Sequence, residues 1–441
     1  MSLPRYPEYK DSGIDWLEEV PHHWQSCKLK QLCSFTTGWT PPTGDSSAYE
    51  GSNLWANISD LGERIVCNTA KRISDEAVAK ANIRISPQGS LLFSFKLSVG
   101  QVSIAGYDMY TNEAIATFKE SDLLLTEYAY YALPVFVVRN ASENIYGAKL
   151  LNQELINSAQ VAAPPVNEQR DLVAFLDRET AKIDALIAEQ EKLLALLAEK
   201  RQATISHAVT HGIDPNAPMK DSGIPWLGAV PAHWQIANIK RLCELITDGA
   251  HVSPETEDGA FCFVSTKDVG RDGIDFEGCL LTSAASYEYL VRTGCQPLVG
   301  DVLFSKDGTV GRTTVVRDTQ EFVVASSLII IRPMGGRLDP NFLDYLCQSR
   351  LVKNQVEGFV KGAGLPRLSI QNLLKVVGVF PPLSEQRRIS GFLAECLERS
   401  DRLENEVLHA VATLKERRSV LIAAAVTGQI DVRGFVEAQA A

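Results

Sequence analysis

Two long stretches of the chain place apolar residues at alternating steps of three and four positions. The first follows Pro164-Pro165 and the second follows Pro381-Pro382, with charged residues between the apolar ones. This spacing keeps one face of an α-helix apolar and is typical of a coiled-coil seam. The apolar positions are Leu172, Leu176, Ile183, Ile187, Leu194, Leu197, Thr204 and Ala208 in the first stretch, and Ile389, Leu393, Cys396, Leu403, Val407, Ala410, Leu414, Leu421 and Ala424 in the second.

The first stretch predicts a helix from Asn167 to His211, roughly 65 Å long at ~1.5 Å per residue. Polar residues interrupt the two seams and could fix their register: Gln190, Arg201, Ser400 and Arg417. We expect the two helices to pair antiparallel, which would bring the two ends of the chain close together. The alternative is that each helix lies along its own domain.

The regions before these helices, about residues 28–162 and 239–379, show a different pattern. Short apolar runs such as Ser90–Ser94 and Phe322–Val324, bounded by Gly, Asn and Asp, predict strands. Longer stretches, Glu127–Val138 and Asn341–Val352, predict short helices. The sequence therefore predicts a mixed α/β or α+β fold in both regions.

Several motifs occur twice in the same order, which indicates an internal repeat of domain size. Entry and helix motifs recur at offsets of 210 and 217 residues, and a Gly-bounded strand motif recurs at 211. The predicted segments are 1–162 and 216–379 for two globular domains, and 163–215 and 380–441 for two helical segments, related by a pseudo-two-fold. The paired motifs are Lys10–Ile14 and Lys220–Ile224, Val20–Gln25 and Val230–Gln235, Pro164–Arg170 and Pro381–Arg387, and Gly89–Gly100 and Gly300–Gly311.

Composition argues against a simple nucleic-acid binder. The net charge is −11, divided as −7 through residue 210 and −4 afterwards, whereas such binders usually present a basic surface. Nine scattered cysteines without a Cys-x-x-Cys pair predict reduced thiols and a cytoplasmic protein. The chain shows no signal region and no apolar run long enough for a membrane span, so we expect no membrane association.

No pattern supports catalysis or metal binding by this chain. Asp339-Pro340-Asn341-Phe342 partly matches the motif of amino-methyltransferases, but a turn that opens a helix explains it better. His207 and His211 are spaced to chelate a metal, yet a favourable interaction with the helix dipole is the simpler explanation. A phosphate-binding Gly-Lys-Ser/Thr loop is missing.

Polar, Gly-rich loops of both regions are the candidate DNA contacts, because side chains on such loops can bind phosphates or read base edges. A solvated loop residue is the alternative for each of them. The candidates are Thr37, Trp39, Thr40, Lys96 and Lys149 in the first half, and His251, Lys306, Arg312, Lys361 and Arg367 in the second.

With its duplicated Asp-Ser-Gly-Ile-x-Trp-Leu, Val-Pro-x-His-Trp and Pro-Pro-x-x-Glu-Gln-Arg motifs, nearly the whole chain resembles the specificity subunit of type I restriction–modification systems. The resemblance implies that each globular region is a target recognition domain for one half of a bipartite, asymmetric double-stranded DNA sequence. It also implies that the antiparallel coiled coil sets the distance between half-sites. The residues that we assign to the scaffold motifs are Trp16, Trp24, Glu168, Gln169, Trp226, Trp234, Glu385 and Gln386.

The resemblance further implies a non-catalytic subunit that recruits two methyltransferase subunits and the restriction subunits. S-adenosylmethionine, ATP and Mg²⁺ are expected on those partners, with no cofactor on this chain. The assembled complex would methylate adenine and cleave DNA with ATP. Two other hypotheses stay open: a stand-alone methyltransferase or nuclease, and a scaffold that has lost DNA binding. Target bases, spacer length and the base-contacting residues do not follow from the sequence.

Overall fold

The structure is a computed structural model that describes residues 4–42, 44–145, 147–252, 254–255, 259–271, 273–360 and 366–437. The chain forms two compact units. One contains Met1–Glu189 and Ala410–Ala441, and the other contains Gln190–His409. Each unit therefore combines one globular region with a part of both long helices.

The first half of the chain contains a long helix, α4, after a strand-rich region. Short 3₁₀ turns, such as Ile58–Asp60, connect some of these elements. The strands are β1 (Tyr9–Ile14), β2 (Leu17–Pro21), β3 (Gln25–Lys28), β4 (Phe35–Thr37), β5 (Asn53–Ala56), β6 (Ile65–Val66), β7 (Lys71–Ile73), β8 (Leu91–Ser94), β9 (Val102–Ala105), β10 (Tyr110–Thr111), β11 (Ile115–Phe118), β12 (Ser142–Glu143), β13 (Lys149–Leu150) and β14 (Gln160–Ala163). The helices are α1 (Asp75–Ala81), α2 (Thr126–Arg139), α3 (Gln153–Ser158) and α4 (Val166–His211).

The second half repeats this order and ends in the long helix α9 and a short helix, α10. Its strands are β15 (Met219–Asp221), β16 (Ala229–Pro231), β17 (Gln235–Asn238), β18 (Cys243–Asp248), β19 (Phe261–Val264), β20 (Val269–Gly270), β21 (Gly273–Ile274), β22 (Leu280–Thr282), β23 (Val302–Ser305), β24 (Thr313–Val315), β25 (Phe322–Val324), β26 (Leu328–Pro333) and β27 (Val377–Phe380). Its helices are α5 (Ala284–Arg292), α6 (Pro340–Gln348), α7 (Arg350–Phe359), α8 (Ile370–Leu373), α9 (Leu383–Val426) and α10 (Arg433–Glu437).

The two globular regions share one sheet topology. The main sheet has the order β4-β11-β8-β9 in the first region, with β6 added at its edge, and β18-β26-β23-β24 in the second. The smaller sheet has the order β10-β5-β7 in the first and β25-β19-β22 in the second, with one parallel pair in each. The poor sequence match between the regions therefore conceals the same fold.

The central strand of each main sheet is buried on both faces. Leu91 and Phe93 of β8 pack with α2 and α4, whereas Leu92 packs with the smaller sheet. This alternation follows from the two-residue period of a strand. In the second region Val302 and Phe304 of β23 face one core cluster and Leu303 faces the other.

The predicted long helices are confirmed, and they pair antiparallel within each unit. In the first unit Leu172 and Leu176 share a core with Ala425 and Val426, whereas further along α4 Asp184 pairs with Arg418. In the second unit Arg201 pairs with Asp401, with 2.6 Å between Nη1 and Oδ1. The two ion pairs correspond to each other at the offset of 217 residues, so the duplication includes the contact between the helices.

Three local features differ from the sequence prediction. Leu403, which the sequence placed in the seam, is 41% exposed, and the adjacent Glu404 pairs with Arg271 of the globular region. Arg417, which the sequence placed in the seam as a polar break, is exposed, whereas the neighbouring Arg418 forms the ion pair with Asp184. The predicted helix Asn341–Val352 is two helices, because Ser349 has extended backbone angles and is the N-cap of α7.

The described segments near the two ends of the chain meet in the first unit, as the sequence predicted. The amide of Asp431 donates to the carbonyl of Pro4 at 2.8 Å, and the Tyr9 hydroxyl donates to the carbonyl of Gly428 at 3.0 Å. Val432 is buried in the same core as Tyr6. The segment that follows α9 therefore completes the core of the first globular region.

Candidate functional site

A buried carboxylate ties the start of α4 to the N-terminal segment. Glu168 Oε1 accepts hydrogen bonds from the Tyr6 hydroxyl at 2.6 Å and from Trp24 Nε1 at 3.0 Å, and its Oε2 lies 2.7 Å from His23 Nε2. Trp24 is fully buried and the Glu168 side chain is 7% exposed. Burial and then the hydrogen bond to Glu168 raise the pKa of Tyr6 far above its ordinary value, so Tyr6 is a hydrogen-bond donor at neutral pH.

The second half repeats this anchor with one donor fewer. Glu385 accepts from Trp234 Nε1 at 3.2 Å and lies 2.7 Å from His233 Nε2. Asn216 occupies the position that matches Tyr6. The side chain of Glu385 is 20% exposed, so this second anchor is less completely buried.

The glutamine after each glutamate closes a loop onto the start of the long helix. Gln169 accepts from the amide of Leu125 at 2.9 Å and donates to the carbonyls of Leu123 and Pro164. An amide side chain provides the acceptor and the two donors that this arrangement requires. Gln386 makes the same three bonds, to Asp339, Arg337 and Pro381. The Glu-Gln motif therefore holds each globular region on its helix.

The two remaining scaffold tryptophans differ. Trp16 packs against Phe136 with 5.5 Å between the ring centroids, and the guanidinium of Arg139 lies 5.4 Å from its ring. Trp226, which matches Trp16, is 56% exposed. At this duplicated position the tryptophan is therefore packed in the first unit and exposed in the second.

Three of the candidate DNA contacts in the first half follow one another at the end of β4. The Thr37 hydroxyl accepts from Gln153 Nε2 at 3.2 Å, the amide of Trp39 donates to Thr111, and the Thr40 hydroxyl donates to Glu113. Two further candidates, both exposed, are on other loops: Lys96 after β8 and Lys149 in the β12–β13 hairpin.

In the second half, one carboxylate brings two of the candidates together. Asp248 Oδ2 lies 2.5 Å from Lys306 Nζ and 2.7 Å from His251 Nε2. Burial by itself would raise the pKa of Asp248, but hydrogen bonds from Lys306 and then His251 leave it below its ordinary value. Sequence reasoning did not select Asp248, although it lies in the same Gly-rich loop as His251.

The candidates of the second half differ in exposure, and Arg367 lies beside the cluster, because the amide of the next residue, Leu368, donates to the carbonyl of Lys306 at 2.8 Å. The Lys306 side chain is 5% exposed, so its ammonium group binds Asp248 and is not presented on the surface. Arg367 pairs with Asp307 at 3.1 Å and is 62% exposed. Arg312 is exposed and lines a cavity of about 1060 Å³ between β24, α6 and the long helices. Lys361 lies outside the described residues.

The loops 94–101 and 305–312 share a set of backbone hydrogen bonds. In the first loop the amides of Ser94 and Gly100 donate to Gln101 and Ser94 at 2.8 and 2.9 Å. The matching bonds in the second loop, from Ser305 and Gly311 to Arg312 and Ser305, measure 2.8 and 3.0 Å. The repeat therefore presents different side chains on one loop framework.

A concave surface beside the first of these loops carries amide side chains that the sequence analysis missed. This cleft, of about 510 Å³, is lined by Asn57, Leu97, Gln101 and Asn112, among others. The carbonyl oxygens of Asn57 and Asn112 accept hydrogen bonds from the backbone amides of Ser59 and Ala114. Within the described part of the chain, their Nδ2 groups donate none, so two amide donors are available to a ligand. Only their positions within polar loops could have pointed to them.

The described residues contain no group of three or more His, Cys, Asp or Glu side chains that could hold a metal ion. Among the same residues, no helix is both long and apolar enough to cross a lipid bilayer.

Comparison with known proteins gives consistent matches over most of the chain. The type I restriction modification DNA specificity domain matches twice, at residues 21–195 and 231–412. The MjaIX specificity subunit of a type I restriction enzyme from Methanocaldococcus jannaschii is 21% identical over 443 residues, covering 96% of this chain and 97% of its own. The EcoBI specificity subunit of a type I restriction enzyme from Escherichia coli is 22% identical over 331 residues, covering 72% of this chain and 68% of its own.

A solved chain supports the fold. It comes from a structural study of complex assembly and conformational transition of the type I restriction–modification system, and its TM-score is 0.69. The match covers 93% of this chain and 99% of that chain at 17% identity. With a duplicated framework, two antiparallel helices and two matches to one specificity domain, this chain belongs to the family of type I restriction–modification DNA specificity subunits.

Proposed function

We propose that this chain selects the DNA sequence on which a type I restriction–modification complex acts. Each globular region binds one half of a bipartite target, and the two halves differ in sequence. The paired helices fix the number of base pairs between them, because rigid elements make half-site spacing a geometric property of the protein.

The observation that carries this proposal is a shared framework with different side chains at matched positions. Backbone groups in the two halves make the same hydrogen bonds, which shows that three pairs of positions are equivalent. The pairs are Asn57 and Ser265, Gln101 and Arg312, and Asn112 and Ala325. Amide side chains favour adenine and guanidinium groups favour guanine, whereas hydroxyl groups bind either. Two recognition regions with one fold and different side chains at equivalent positions are expected to bind different half-sites, which together make a non-palindromic target.

The scaffold role rests on the duplicated anchors. Glu168 and Glu385, each with its neighbouring glutamine, attach a globular region to a long helix. We assign the surfaces of this scaffold to two modification subunits and to restriction subunits. Adenine methylation and ATP-dependent cleavage belong to those partners, as do S-adenosylmethionine, ATP and Mg²⁺.

The acidic charge supports a dependence on partners for DNA affinity. A net charge of −11 opposes the long-range attraction to phosphates that gives most proteins their non-specific affinity for DNA. The modification subunits therefore supply much of the positive surface. Tight, specific binding by the isolated chain at physiological salt would contradict this assignment. All nine cysteines are free thiols, which fits a site of action in the cytoplasm.

Deletion of the gene for this chain, followed by methylome sequencing, tests the function. The parent strain should show a split adenine-methylation motif, and the deletion strain should lack it. Methyl transfer from S-adenosylmethionine by the purified chain alone would favour a stand-alone enzyme instead. A methylome that deletion leaves unchanged would favour an inactive scaffold.

A further inference from the structure

Leu97 has an unfavourable backbone conformation. Its φ is +59°, in the left-handed region, and in the described residues only Asn82 shares this among residues other than glycine. Asparagine tolerates this region, whereas most other residues with a Cβ occupy it at a cost of about 1–2 kcal/mol. The conformation is therefore maintained by the surrounding loop.

The second half shows what the fold itself requires at this position. Gly308 matches Leu97 and has a φ of +71°. The carbonyls of both residues accept a bond from the amide two positions later, at 2.9 Å in the first loop and 3.0 Å in the second. Glycine adopts this conformation without strain, so the framework has no need of a side chain here.

The leucine side chain also contributes nothing to the core. It is 92% exposed, the largest value among the exposed large hydrophobic residues of the described chain. An apolar group that is strained, exposed and unnecessary for the fold is a candidate for contact with a ligand.

The surroundings of Leu97 indicate which ligand. Leu97 lines the same cleft as Asn57 and Asn112, whose Nδ2 donors are available, and Lys96 is exposed beside it. In the major groove a thymine presents an acceptor, O4, next to an apolar C5 methyl group. A lysine beside this pair could contact a phosphate.

We propose that Leu97 contacts the C5 methyl group of a thymine in the half-site of the first recognition region. This inference rests on the proposed function. It makes Leu97 a specificity-determining residue, and it gives the first half-site a dependence on a methyl group. The matching residue of the second region, Gly308, has no side chain with which to make this contact.

The test uses the chain assembled with its modification subunits and a duplex that carries the motif found by methylome sequencing. Each thymine of the first half-site is replaced in turn by deoxyuridine, which lacks only the methyl group. We expect the wild-type complex to lose about fourfold in affinity at one such position, the effect of one buried methyl-sized group. The Leu97→Gly complex should bind the thymine and the deoxyuridine duplexes equally.

Two variants control for folding and for general loss of apolar surface. Leu97→Gly relieves the strained conformation, so its thermal stability should equal or exceed that of the wild type. Leu123→Ala shortens another exposed leucine, of which 52% is accessible, and should keep the full sensitivity to deoxyuridine.

Three results would overturn the inference. In the first, the Leu97→Gly complex keeps the wild-type ratio of affinities for the thymine and deoxyuridine duplexes. In the second, deoxyuridine lowers the affinity of the wild-type complex at no position of the half-site. In the third, the variant binds the modification subunits less well while its base preference stays intact, which would identify Leu97 as a contact with another subunit. If the wild-type complex binds the motif no better than a scrambled duplex, the proposed function itself fails, so the two failures are distinguishable.

Discussion

Removal of the Glu168 carboxylate should be much more damaging than removal of its counterpart Glu385. Glu168→Ala leaves Trp24 Nε1 and the Tyr6 hydroxyl without an acceptor, and both side chains are buried. A buried donor without a partner costs about 1–3 kcal/mol. His23 is partly exposed, so water can replace its partner at little cost. With two such donors, we expect Glu168→Ala to lower the free energy of unfolding by about 2–6 kcal/mol.

Glu385→Ala leaves one buried donor, Trp234 Nε1, because His233 is 48% exposed. The expected loss is about 1–3 kcal/mol. Glu179→Ala provides a control on α4, where the partly exposed Glu179 pairs with Lys182 and Arg178, and it should cost less than about 1 kcal/mol. Tyr6→Phe removes a single donor and should cost about 1 kcal/mol.

Urea unfolding, followed by tryptophan fluorescence and by circular dichroism, measures these differences. The slope with denaturant should stay constant across the series, since the surface exposed on unfolding is the same. The reasoning is refuted if Glu168→Ala unfolds within about 0.5 kcal/mol of the wild type, the range of an ordinary surface substitution. It is also refuted if Glu385→Ala is the more damaging of the two.

Two further predictions concern the helices and the second recognition region. Four residues inserted into α4, with four more opposite them in α9, add about 6 Å at ~1.5 Å per residue. The methylated motif should then have a spacer longer by about two base pairs with unchanged half-sites, and a changed half-site would contradict this. The pKa of Asp248 is lowered from 3.8, so its stabilising contribution is complete above that value and is lost as the pH falls through the lower folded-state pKa. Asp248→Asn should unfold with less pH dependence below pH 3.8 than the wild type, and identical pH profiles would argue against the Lys306–Asp248 pair.

The sequence predicted the long-range organisation because that organisation repeats along the chain. The helix predicted from Asn167 to His211 begins at Val166 and ends at His211, since a seam of three- and four-residue steps has one structural solution. The duplicated entry and Glu-Gln motifs marked the positions that became the anchors at Glu168 and Glu385.

Individual loop contacts could not be predicted, because they depend on partners distant in sequence. A lysine in a Gly-bounded loop is expected to be solvated, yet Lys306 is buried against Asp248, 58 residues before it. The left-handed conformation of Leu97 has no signal in an apolar pattern and emerges only from comparison with Gly308. The amides of Asn57 and Asn112 converge because separate loops meet in the folded domain.

Exchange of one recognition region tests the central claim most directly. Residues 28–162 are replaced by the corresponding region of a related specificity subunit, and the methylome of the strain is sequenced. We predict that one half of the bipartite motif changes, whereas the other half and the spacer stay as they were. A change in both halves, or an unchanged motif, would contradict the account of two independent readers on one duplicated scaffold.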